Sequence, residues 1–308
     1  MTSASTSHAV PRGPLLAMIA GGAAISLTGV LVRYAHVPPT VSGFWRMAFG
    51  GVLLTSALVA LRQWQRMRWS DAWWMLPPAL AFAADLFLWH RSIRDVGPGL
   101  ATLLANLQVF IMALAGVLLH RERLGPRFLI GLALAFGGLW LMVGQAWSGF
   151  DSAYRLGVWL GLLTGFCYAG YMLSFRYAQQ RRSLLPAAQL LAIMTLLSAC
   201  VLAAMAAIED VAFTIPDAHS LLALLALGVV GQCLGWVLIS RAMPQLPTSL
   251  VGLLLLLQPV LAFLLDVLLF HRVTRPLEWL GLALSLGGIF IGSLRSRAPV
   301  QAPALAVD

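Results

Sequence analysis

Residues 103–138 read LLANLQVFIMALAGVLLHRERLGPRFLIGLALAFGG, and 150 positions later residues 253–288 read LLLLLQPVLAFLLDVLLFHRVTRPLEWLGLALSLGG. In this ungapped register Leu103-Leu104 falls on Leu253-Leu254, Gln108 on Gln258 and Pro126 on Pro276. Gly131-Leu132-Ala133-Leu134 falls on Gly281-Leu282-Ala283-Leu284, and Gly137-Gly138 on Gly287-Gly288. Leucine on leucine says little in so apolar a chain, but a glutamine, a proline and a glycine pair in one register do not coincide by chance. The chain is therefore two homologous halves.

Around this repeat, composition sets the environment. Of 308 residues, 60% are hydrophobic and 10% charged, with a mean hydropathy of +0.87. That balance excludes a water-soluble domain, and equally a disordered chain or a disulfide scaffold. Cys167, Cys200 and Cys233 each sit in an apolar run without CxxC spacing or neighbouring histidines, so they read as packing residues, and no metal site is expected. The net charge of +9 comes from 20 basic residues, all arginine, scattered between apolar runs. With no basic face interleaved with aromatics, nucleic acid is not the expected partner; the charge reads as membrane topology.

A bilayer core about 30 Å thick asks for roughly 20 apolar residues per spanning helix. Ten stretches qualify: Leu15–Tyr34, Val41–Leu61, Trp73–Ile93, Leu100–Leu119, Phe128–Gly144, Gly157–Tyr177, Ala187–Ile208, Leu221–Ala242, Ser249–Phe270 and Trp279–Leu294. Short polar connections carrying Pro38-Pro39, Gly97-Pro98-Gly99, Gly125-Pro126, Pro244 to Pro247 and Arg275-Pro276 separate them. The first stretch is too long for a signal-peptide core, and it ends in Arg33-Tyr34-Ala35, which recurs at Arg176-Tyr177-Ala178, so it reads as a span.

The expected fold is an all-α polytopic membrane protein: ten transmembrane helices as two inverted five-helix repeats. Residues 1–13 form an N-terminal tail, 14–147 the first repeat, 153–295 the second and 296–308 a C-terminal tail. Five spans per half is an odd number, so the second half enters the bilayer with opposite orientation. An inside N-terminus places thirteen arginines on one side and seven on the other, and the Glu209, Asp210, Asp217 loop outside. Both termini are thus expected in the cytoplasm. Inverted repeats suit alternating access around a midplane site.

Asp85 and Asp266 are the acids read as lying well inside spans, where ionisable groups usually face a cavity or a partner. Asp85 leads a helical stripe with Trp89 and Ser92. It either binds an ammonium group or exchanges a proton, or it is a structural acid bonded to a neighbouring helix. His90, about 140° around the helix from Asp85, is a second proton-coupling candidate or an interfacial hydrogen-bonding residue. Asn106 follows a tight turn and is placed to reach Asp85 or to glue helices together. Gln108 and Gln258 are repeat-related, and Gln258-Pro259 suggests a local break whose free carbonyls line a cavity. Tyr168, Tyr171, Gln232 and Trp236 pair polar handles with flat faces, which suits an amphipathic solute as well as it suits packing. Arg33 is expected to snorkel, whereas Arg46 beside Trp45 attracts a carboxylate near the outer mouth. Gly161/Gly165, Gly231/Gly235 and Gly288/Gly292 have the GxxxG spacing of close helix contacts.

Phe44-Trp45-Arg46, the run His120-Arg121-Glu122-Arg123-Leu124, and Gly131 with Gly137-Gly138 together resemble the EamA-type drug/metabolite transporter superfamily. The likeness covers nearly the whole chain. The stretch from Asp85 to Ile93, with Ala101 to Asn106, is similar to a bacterial branch of that family. The second half departs by placing Arg272 where the first has Glu122. The resemblance implies a multi-pass carrier of the bacterial inner membrane, commonly an exporter of amino acids, with a central cavity and no ATP drive. No GxxxxGK[ST] or GxGxxG loop is present. The expectation is a secondary exporter of small amphipathic metabolites without cofactors, its partners being solute, lipid bilayer and protons. An intramembrane enzyme, or a passive channel or scaffold, is the alternative; neither acid lies in a GxGD setting and no serine in GxSxG.

Overall fold

The computed structural model describes residues 12–120, 125–144, 147–181, 185–242, 245 and 254–293. Residues 121–124 of the basic motif, the Pro244–Pro247 turn, the beginning of the ninth expected span and nearly all of both tails lie outside the described residues. Helices and their connections account for everything described, with no strand among these residues.

Helix α1 covers Arg12–Tyr34 and α2 Pro39–Ala60, the latter entered through Pro38-Pro39, whose ring geometry presets a first helical turn. Helix α3, Trp69–Val96, starts where the Asp71 carboxylate accepts the Arg68 backbone N–H at 2.7 Å. It ends at Gly97, whose φ of 86° is open to glycine and turns the chain directly into α4, Pro98–Ala105. Next come α5, Gln108–His120, and α6, Pro126–Leu139, which continues into a π-turn at Trp140–Gly144. The second half holds α7, Ser152–Arg181, and α8, Ala187–Ile208. Helix α9, Ala218–Ala226, passes through a π-helical segment, Leu227–Gly235, into α10, Trp236–Ala242. Asp217 caps α9, accepting the Ser220 N–H at 2.6 Å, and this bond holds its carboxyl below the usual carboxylate range. Helices α11, Leu257–Phe270, and α12, Pro276–Ser293, complete the described chain.

Seven of the described helical segments are long and apolar enough to cross a bilayer. Pro98–Met112, Leu257–Phe270 and Pro276–Gly292 are shorter apolar segments within the described residues. The fourth expected span carries a local break. The Asn106 side chain donates to the Thr102 carbonyl at 2.8 Å, occupying an acceptor the helix ladder uses, and the next N–H groups bond back only three residues. In the ninth, the helix is interrupted at Leu256, the repeat equivalent of Asn106. There Pro259 has no N–H to offer the carbonyl four residues back, and Val260 reaches Leu256 at a long 3.4 Å. The break stands before Pro259, and Gln258-Pro259 itself lies in the first turn of α11.

Small residues set the packing. Helix α3 lies chiefly against α7 and α8, α2 against α8, and α1 against the π-helical segment and α11. Helices α6 and α12 meet through their glycines: a Cβ on Gly131 would stand 2.5 Å from the Gly288 carbonyl oxygen, and one on Gly138 would strike the Gly281 carbonyl. Between these contacts the Ser285 hydroxyl donates to the Ala135 carbonyl at 2.9 Å, a pair exactly one repeat length apart in sequence. The order of contacts is reversed along the two helices, so they run antiparallel. The GxxxG glycines likewise sit at helix contacts, Gly161 on Leu104, Gly235 on Ile25 and Gly292 on Phe110. Outward faces carry exposed large apolar side chains such as Leu118, Phe166 and Leu222, as a lipid-facing surface requires.

One end of the bundle is tied by ion pairs. Asp266, fully buried in the last turn of α11, meets Arg33 of α1 at 3.3 Å and Arg272 at 3.4 Å, and accepts the Gly99 N–H at 3.3 Å. Arg272 also bonds Glu278 at 3.2 Å. At the same end Arg91 pairs with Glu209, which accepts the Thr40 hydroxyl as well. Two expectations change here. Asp266 stands at a helix end inside an ionic cluster instead of well inside a span, and Arg33 is held by that carboxylate where snorkelling was expected. A partner charge outweighs free hydration once the carboxylate has no other solvent.

Candidate functional site

The site forms where α2, α3, α7 and the π-helical segment converge. Asp85 lies midway along α3 and is 7% exposed. One turn on, Trp89 closes the same stripe, its ring edge-on to His90 at 5.5 Å. His90 is 1% exposed, and its ring nitrogens make no hydrogen bond of normal geometry among the described residues, the Pro39 backbone standing nearby. It lines a cavity of about 140 Å³ shared with Arg33, Pro39, Ser42 and Arg94. Its neighbour Trp89 is stacked toward a cation: the Arg46 guanidinium carbon lies 5.6 Å from the Trp89 ring centre.

Arg46 joins this group. The expectation put it near an outer mouth; in the structure it sits on the second turn of α2, 4% exposed, and its Nε and Nη1 have no partner among the described residues. It lies within electrostatic reach of Asp85, Tyr168 and Tyr171. Arg46 and Asp85 nevertheless do not pair directly, and Asp85 takes part in no hydrogen bond or ion pair within the described residues. Position near a helix start does not say which way the side chain faces. The one available signal was that α2 begins seven residues earlier, at Pro39.

Opposite stand the aromatics. Tyr168 and Tyr171 of α7 lie with rings nearly parallel, 6.0 Å between centres. Tyr171, 1% exposed, also meets Phe82 at 4.5 Å and stands edge-on to Trp236 at 6.2 Å. Gln108 faces the Tyr168 hydroxyl without a hydrogen bond of normal geometry, its Oε1 being buried and unpartnered. Gln232, fully buried in the π-helical segment, donates to the Thr195 hydroxyl at 2.9 Å and keeps its Oε1 free. π-helical turns recur at functional sites because the widened ladder re-aims side chains.

Asp85, Trp89, His90, Tyr168, Tyr171, Gln232 and Trp236 are thus gathered in one region of the bundle, with Arg46 among them. Asn106 and Gln258 are not joined to it. The Asn106 amide is committed to its own helix, so no hydrogen bond links it to Asp85, and the Gln258 side chain lies against Gly22 of α1. A cavity of about 520 Å³ lies between α1, α11 and α12 and is lined by apolar residues such as Ile19, Leu257 and Phe290. No charged residue lines it. Among the described residues no cluster of histidine, cysteine or acidic side chains is suited to a metal ion.

The whole chain has recognisable relatives. Residues 12–144 and again 155–294 match the model of the EamA-like transporter family. The "uncharacterized transporter YwfM" of Bacillus subtilis (strain 168) is 25% identical over 274 residues, 86% of this chain and 88% of that protein. An "uncharacterized transporter" of Haemophilus influenzae (strain ATCC 51907 / DSM 11121 / KW20 / Rd) is 30% identical over 102 residues, 32% of this chain and 33% of that one. A crystal structure 21% identical superposes with a TM-score of 0.64, covering 92% of this chain and 97% of its own, which establishes the fold.

Proposed function

The chain belongs to the EamA-like transporter family, and from that membership we propose that it is a secondary exporter of small amphipathic metabolites, amino acids among them. In this reading it lies in the bacterial inner membrane with both termini in the cytoplasm. One observation carries it above the others: an acid, Asp85, held midway along a membrane helix beside a buried arginine and an aromatic wall, without forming a direct pair. An ionisable group at that depth is costly unless it serves a solute or a proton.

The halves, residues 14–147 and 153–295, are read as inverted five-helix repeats of a ten-helix bundle. The reciprocal glycine contacts support this: Gly131 meets Gly288 and Gly138 meets Gly281, each glycine touching the repeat partner of the other. Reciprocal contacts of this kind arise about a two-fold axis, here between antiparallel helices. Rocking of one half against the other then exposes the site to either side alternately. Asp85, Trp89, Tyr168, Tyr171, Gln232 and Trp236 bind the solute in this reading, and Asp85 with His90 handles a coupled proton. Asn106 and Gln258 act through the paired helix breaks, where a repeat-related weakness lets helices flex.

Counterflow in liposomes tests the proposal. Purified protein should exchange labelled amino acids saturably, and Asp85→Asn should abolish the exchange or remove its pH dependence. Exchange unaltered in the variant at every pH would reduce Asp85 to a structural acid; non-saturable flux would replace the carrier by a pore.

A further inference from the structure

Arg46 is unused by the proposed chemistry and is the most anomalous group in the bundle. A guanidinium is charged at every physiological pH, and removing it from water costs several kcal/mol unless an anion faces it. A structural arginine would be expected to lie in bidentate contact with the nearest carboxylate. Arg46 does not: Asp85 is close enough to be felt yet not paired, and Nε and Nη1 face no acceptor among the described residues. Gly231 of the π-helical segment faces the guanidinium. A Cβ there would come within 3.7 and 3.8 Å of Nη2 and Nε, and within 2.6 Å of Thr28 on α1. The plane of Trp89 backs the charge from α3.

We infer that Arg46 is the carboxylate-recognising pole of the site, so that a free carboxylate on the solute is required for binding. The guanidinium fork also matches phosphate, but Asp85 nearby repels a dianion and favours a monoanionic carboxylate, particularly one whose other end carries an amine. The aromatic side chains Tyr171 and Trp236 then flank the solute's apolar body. This rests on the carrier reading above and adds the polarity in which the solute lies: carboxylate toward α2, amine toward α3.

The test uses the full-length protein in liposomes, with L-phenylalanine, its methyl ester, phenethylamine, 3-phenylpropanoate and phenyl phosphate as competitors of amino-acid counterflow and as ligands in thermal-shift assays. The wild type should be inhibited and stabilised by phenylalanine and more weakly by 3-phenylpropanoate. The ester, the amine and the phosphate should be weaker than phenylalanine by about 30-fold or more, the loss that follows when a buried charge is left without its partner. Arg46→Gln should erase the preference for acid over ester, and Arg46→Lys should restore part of it. The wild-type competition series needs no mutant, so a misfolded variant does not shelter the inference. Equal potency of acid and ester overturns it while leaving the carrier standing. Stronger binding of phenyl phosphate also overturns it, in favour of a phosphate site. Absence of exchange and of stabilisation with every carboxylate-bearing member overturns both.

Discussion

Asp266 ties four parts of the chain with one carboxylate: Arg33 from α1, the Gly99 amide at the start of α4, its own helix, and Arg272 beyond it. Its substitution by alanine leaves two guanidinium groups facing an apolar hole. The expected loss is on the order of 3 kcal/mol, the low end for a broken buried pair because Arg33 is 41% exposed on its side chain. Asp266→Asn, which keeps an acceptor for the Gly99 N–H, should lose less. Thermal unfolding in detergent would show the order, and an unchanged midpoint for the alanine variant would remove Asp266 from the ionic cluster's role in stability. Asp217 gives a milder case at an exposed position. Its carboxyl is held low by the Ser220 N–H, so its contribution to the α9 cap is present at neutral pH and disappears as the pH falls through that lowered value. Asp85 and the aromatics were legible as residues because a polar group in an apolar run is conspicuous. Arg46 was conspicuous too, yet its burial beside Trp89 was not, since linear position does not report which neighbouring helix a side chain faces.

The paired glycines separate what spacing reveals from what it hides. Gly137-Gly138 and Gly287-Gly288 mark the repeat equally, but only one member of each pair is at the helix contact. A Cβ on Gly137 or Gly287 meets nothing within 4 Å, whereas one on Gly138 or Gly288 runs into backbone of the facing helix. Gly137→Ala and Gly287→Ala should therefore be neutral or stabilise by about 0.5–1 kcal/mol, the helix-propensity gain over glycine. Gly138→Ala and Gly288→Ala should destabilise, because backbone cannot rotate aside as a side chain can; overpacking of this kind costs about 1–3 kcal/mol. Equal midpoints for all four variants would mean that α6 and α12 are not held together as described. The helix breaks belong to this scale as well. Hydropathy sees Leu100–Leu119 as one continuous span, since Asn106 is a single polar residue in it. The interruption depends on which carbonyl its amide reaches, a detail of side-chain geometry that no window average carries.

For the whole molecule, the proposed topology has both termini on the cytoplasmic side, in line with the arginine asymmetry, because positive loops are retained there during insertion. Reporter fusions at residue 12 and after Ser293 should both report the cytoplasm. Opposite readings at the two ends would require an odd number of crossings and dissolve the inverted-repeat scheme, while leaving the family membership untouched.

A helical membrane protein built from two homologous halves follows from the sequence by itself, because apolar runs of about 20 residues cross a bilayer as helices with satisfied backbones and a repeat survives as matching glutamine, proline and glycines. The presence of a costly acid midway in α3 was determined at the same level. Which polar groups meet was decided by the tertiary structure alone. Glycine contacts set how closely and at what rotation the helices pack, and that rotation brought Arg46 beside Asp85 and Trp89, sent Arg33 to Asp266, and left Asn106 bonded to its own helix. Hydropathy drives helices into the membrane but is nearly indifferent to their rotation there, since lipid and leucine are alike to an apolar face.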